Sequence, residues 1–127
     1  MKSLKALSTE LVLSLLLGFT TVVVSAADSK DILPSKQVKA LAAKAKTSAD
    51  HMKLARHFAA KAAKQEAEAV EHEALAVEYA RNPRPTKTPM AGNTADHCKF
   101  FAEHCKRAAK ELRDMAAAHE AMAKDEK

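Results

Sequence analysis

The chain has 127 residues, of which 47% are hydrophobic, 4% aromatic and 29% charged, with no Trp and a formal net charge of +5. That length fits one small domain, and the shortage of aromatics confines its core to alanine and a few larger residues. The same shortage removes the stacking platforms that bind bases, so the basic balance does not point to nucleic acid.

Residues 1–27 place Lys2 and Lys5 before an uncharged run, 11–24, which ends in the small residues Ser25, Ala26 and Ala27. This is the layout of a secretory signal peptide cut after Ala26 or Ala27, and it predicts an exported protein, periplasmic or secreted. The run is shorter than the ~20 residues a spanning helix needs. Removing it takes away Lys2, Lys5 and Glu10 and leaves 19 basic against 15 acidic residues. From Ser48 onward 14 basic residues face 13 acidic ones, so the excess charge belongs to the lead-in, residues 28–47.

In that lead-in, Pro34 breaks a short polar leader. Residues 36–46 then set Val38, Leu41, Ala42 and Ala45 on one side and Lys36, Lys39 and Lys44 around the rest, a short amphipathic helix. Such a helix could touch an anionic membrane surface. The plainer expectation is a basic lead-in loosely docked on the domain.

Thr47 and Asp50 stand three apart, as a capping box requires, with Ser48 as an alternative cap. No Pro or Gly follows until Arg81 is passed. His51, Ala55, Phe58, Ala62, Gln65, Ala69, His72, Ala76 and Tyr79 form one seam in steps of four and three, and its alanines admit a close partner helix. Residues 82–93, NPRPTKTPMAGN, hold three of the four prolines and cannot continue a helix. Asn93 with Asp96 repeats the spacing of Thr47 with Asp50 and restarts the chain as a helix over 94–124. There Phe101, Cys105, Ala108, Leu112, Met115 and Met122 follow the same steps, with His119 in the remaining slot.

The two stretches echo one another. Ser-Ala-Asp-His at 48–51 matches Thr-Ala-Asp-His at 94–97, and His-Glu-Ala-Leu-Ala at 72–76 matches His-Glu-Ala-Met-Ala at 119–123. The predicted fold is all-α: an antiparallel two-helix hairpin, 48–127, with a short N-terminal helix. A lone hairpin leaves half of each apolar stripe in water, so two copies are expected to form a homodimeric four-helix bundle. A monomer capped by the 36–46 helix is the alternative.

Six histidines, at 51, 57, 72, 97, 104 and 119, all fall on the two long helices. Setting Arg81 opposite Thr94 pairs His57 with His119 and His72 with His104, at two levels about 22 Å apart. Neutral imidazoles ligate Zn, Cu and Ni, and an exported protein meets such ions. Cys105 adjoins His104, and Met115 and Met122 flank His119 with thioethers suited to Cu(I). Against this, two histidines do not fill a tetrahedral shell, and the same residues serve equally as packing. His51 and His97, each after an Asp in a first helical turn, read as capping-region residues.

Cys98 and Cys105 are seven apart on one helix, about 10.5 Å along its axis, beyond the roughly 7 Å limit for bridging Cα atoms. That leaves crosslinks between chains or buried thiols. The chain has no C-x-x-C, its H-E-x-x lacks the second His because Ala76 stands there, and only Gly92 follows the leader. Catalysis and a resident cofactor are therefore not expected. The leading expectation is a non-catalytic exported protein acting by self-association or protein interaction. The alternative is binding of Cu, Zn or Ni.

The leader, the paired Asp-His and His-Glu-Ala motifs and the Pro-rich hinge together resemble small exported, alanine-rich helical-hairpin proteins of bacteria. The resemblance covers 48–123, and it implies export and the hairpin but no activity and no site.

Overall fold

The computed structural model describes residues 29–83 and 94–126. It consists of a 3-10 turn at Ser29–Asp31 and three helices, α1 at Ser35–Lys44, α2 at Ser48–Arg81 and α3 at Thr94–Asp125. No strand occurs among the described residues, so the class is all-α. The expected signal segment, Asn93 as a cap and most of the Pro-rich connection lie outside them.

The start of α2 is built as its spacing requires. Thr47 Oγ1 accepts from the Asp50 N–H at 3.1 Å, and Asp50 Oδ2 accepts from the N–H groups of Thr47 at 3.3 Å and Lys46 at 3.4 Å. Hydrogen bonds from Thr47 and Lys46 hold the Asp50 carboxyl below the usual carboxylate range. At the other end, the Asn82 backbone N–H and its side-chain amide both donate to the Glu78 carbonyl, at 3.0 and 3.4 Å. Pro83 has no N–H to continue the ladder.

Helices α2 and α3 lie against one another with opposed directions. His51 near the start of α2 meets His119 and Glu126 near the end of α3, Glu66 meets Arg113, and Glu73 meets Lys106. The seam between them is alanine. Ala55, Ala62, Ala69 and Ala76 of α2 are buried at every seventh residue, and so are Ala95, Ala102, Ala109, Ala116 and Ala123 of α3. Each buried methyl contributes only about 0.8 kcal/mol, against roughly 1.5–3 for a full aliphatic side chain. Length and close backbone approach therefore hold the pair, and Leu54 is the one large side chain fully buried among the described residues.

On α3 the buried line differs from the expected stripe. Cys105, Leu112 and His119 do turn toward α2, but the other half of the seam is Ala102, Ala109, Ala116 and Ala123 rather than their neighbours Phe101, Ala108, Met115 and Met122. Phe101 is 52% exposed and Met115 and Met122 each 45%. Both lines repeat every seven residues, so periodicity alone cannot choose between them. Volume does, because a phenyl or thioether on the seam would hold the backbones apart and leave gaps around every alanine.

The lead-in packs on the flank of α2. Val38, Leu41 and Ala45 are half-buried while Ala42 is exposed. Leu54, His57 and Ala60, which α2 buries away from the seam, lie toward that flank, and the Leu33 N–H donates to His57 Nδ1 at 3.0 Å. Helix α1 ends at Lys44, two residues short of the expected end.

Candidate functional site

Seven-residue spacing places His51, Phe58, Gln65 and His72 on the seam side of α2, and Cys98, Cys105, Leu112 and His119 on that of α3. Chemistry-bearing side chains therefore concentrate between the helices at two places.

At the first, His51 Nδ1 and His119 Nδ1 are 3.1 Å apart, and the rings stack at 5.4 Å with 25° between planes. Phe58 lies parallel to His119, 5.6 Å away and within 9°. The Glu126 carboxylate stands 3.8 Å from His51 Nε2. Two nitrogens this close hold one proton between them, since two protonated Nδ1 atoms would both be donors. Burial, and then the charge His51 would carry, push His119 below the ordinary histidine range.

The expected partner of His119, His57, is engaged elsewhere. It is 4% exposed, it accepts from Leu33, and its ring meets Phe58 edge-on at 5.1 Å. Burial and the Lys61 charge lower its pKa, and a backbone hydrogen bond at Asp31 acts the other way. His57 is thus a clasp for the lead-in. The residues that spacing overlooked are His51 and Glu126. The signal was present, because His51 and His119 both lie on seam lines whereas His57 lies beside one. The helix-start context of His51 concealed it.

At the second place, Gln65, Glu68, His72, Phe101, His104, Cys105 and Ala108 line an open groove of about 450 Å³. His72 and His104 share it, but each ring is taken by a phenylalanine. His72 stacks on Phe101 at 5.4 Å, and His104 meets Phe100 at 5.7 Å and Arg107 Nη2 at 3.4 Å. Glu68 accepts from Gln65 Nε2 at 2.9 Å. Among the described residues, buried His72 Nδ1 has no hydrogen-bond partner.

Cys98 and Cys105 are free and buried on the seam, at 8% and 9% exposure, so a crosslink between chains would first require lifting them off α2. Met115 and Met122 flank His119 at the surface. His97 is exposed in the first turn of α3. Among the described residues, no group of three or more His, Cys, Asp or Glu is arranged to hold a metal ion, and no helix is long and apolar enough to cross a membrane. Comparison of the chain with protein-family models, with curated proteins and with solved structures finds no match.

Proposed function

We propose that the chain is a non-catalytic, exported helical protein that works by self-association, its α2–α3 hairpin pairing with a second copy in a four-helix bundle. The observation that carries this reading is the exposed apolar edge of α3. Phe101, Met115 and Met122, with Ala108 between, repeat every seven residues in a line about 31 Å long. Phe100, 60% exposed, meets Phe101 edge-on at 6.3 Å, and Leu75 of α2 is 37% exposed. Contiguous exposed apolar surface of this kind favours an interface.

A second copy is the occupant that suits the line, because its seven-residue repeat is the repeat with which α3 already packs a helix. A two-fold axis through Ala108 would set Phe101 against Met115 of the partner subunit, a self-complementary contact of the kind closed dimers use. Export rests on the leader sequence of residues 1–27. Membrane-surface contact through residues 28–47 is less favoured, since Val38, Leu41 and Ala45 already turn partly toward α2. The test is sedimentation or light scattering of the purified protein. A two-chain mass at micromolar concentration is expected, and a one-chain mass at every accessible concentration would overturn the reading.

A further inference from the structure

We infer that His51 and His119 form a binding site for a divalent transition-metal ion of the Zn, Ni or Cu class, held between their two Nδ1 atoms and stapling the start of α2 to the end of α3.

Three features of the geometry support this. Two imidazole nitrogens bound to one tetrahedral ion at 2.0–2.1 Å are about 3.4 Å apart. The observed 3.1 Å therefore needs an opening of only a few tenths of an ångström to admit the ion in place of the shared proton. Binding requires both rings neutral with their protons on Nε2, a tautomer shift that releases no net proton when both rings start neutral. On His51 that proton faces Glu126 Oε1, 3.8 Å away, and a carboxylate on the far nitrogen is the usual way a ligating histidine is fixed in orientation. Finally, Phe58 holds the His119 ring nearly parallel to its own, so the ligand is already oriented before the ion arrives.

The protein's share of the shell is two nitrogens, and solvent completes it. A two-histidine site binds more weakly than a closed structural zinc site, but it joins residues 68 apart in the chain, so any ion bound stabilises the folded pair over the open chain. This level differs from the His72–His104 groove and does not depend on self-association.

The test is calorimetric titration of the purified protein with ZnCl2, NiCl2 and CuSO4. One equivalent per chain is expected, weakened at least tenfold by His51→Ala and by His119→Ala alike and unchanged in a His72→Ala/His104→Ala double variant. Thermal melts should move upward with metal in the parent chain. Imidazole NMR signals of the unaltered protein on adding Ni(II) cover the case in which a variant fails to fold: selective broadening at His51 and His119 is expected. No uptake, uptake that survives both single substitutions, or broadening confined to other histidines would overturn the site.

Discussion

The two edges of the α2–α3 pair flank the same alanine seam and differ in everything else. On one edge, Arg113 grips Glu66 through two hydrogen bonds, Nε to Oε1 at 2.7 Å and Nη2 to Oε2 at 2.6 Å, and Lys106 bridges Glu73 and Glu103. On the other, Leu75, Phe101, Met115 and Met122 stand partly in water, and Phe101 lines the His72–His104 groove. The first edge has its charges matched within one chain. The second leaves apolar surface about half exposed, even where Phe101 stacks on His72. The seam sets the fold, and the edges set what the fold can meet.

The seam is where that comparison breaks most severely. Ala102→Leu adds bulk at a position 1% exposed and should destabilise the protein by about 1–3 kcal/mol, read as a lower urea midpoint, because both edges are prised apart together. A midpoint that does not fall would mean that the helices are not in close contact there.

Next comes the apolar edge. Phe101→Glu should convert a two-chain mass to a one-chain mass in sedimentation, with retained helicity. The same mass in parent and variant would remove this edge from the interface.

Acid should act on the histidine cluster. Both His57 and His119 are depressed below the ordinary value of 6.5, so below that pH the unfolded chain takes up protons that the folded chain resists. Stability is therefore full above about pH 6.5 and declines as pH falls below it. Lys61 faces His57, and Glu126 Oε1 lies 3.8 Å from His51 Nε2. Unfolding midpoints at pH 7.5 and 5.5 should differ in the parent chain and differ less in His119→Gln. The protection factor of the Leu33 amide, referred to the intrinsic exchange rate at each pH, should fall over the same range as protonation of His57 Nδ1 removes the acceptor of that N–H.

The smallest effect belongs to the charged edge. Arg113→Ala should cost within the ~0.2–1 kcal/mol span of exposed pairs and should matter less at high salt, as double-mutant cycles with Glu66→Ala would measure.

Much of the framework was legible in the residues. The Thr47–Asp50 box and the helix from Ser48 to Arg81 follow from capping chemistry and the lack of proline and glycine within it, and the second helix begins at Thr94, just past the proline- and glycine-containing stretch of sequence. All of these act within a few residues. Two adjacent lines on α3 share one period, however, and although the larger side chains of Phe101 and Met115 mark one of them, the alanines beside them make the contact. Of the two expected histidine pairs, His72 and His104 do share one groove, but His57 does not meet His119, because equal height along the axis is not enough: two imidazoles must also point into the same seam, which His51 and His119 do and His57 does not.

The starts of the two long helices, the helical class and the density of small residues thus follow from the sequence, because local hydrogen bonding and backbone preference decide them. Which face of α3 is buried, and which histidines meet, depend on how the two helices pack. The reason is steric: whether an alanine or a phenylalanine faces α2 depends on how near the two backbones can come, and that distance is set by residues some fifty positions away.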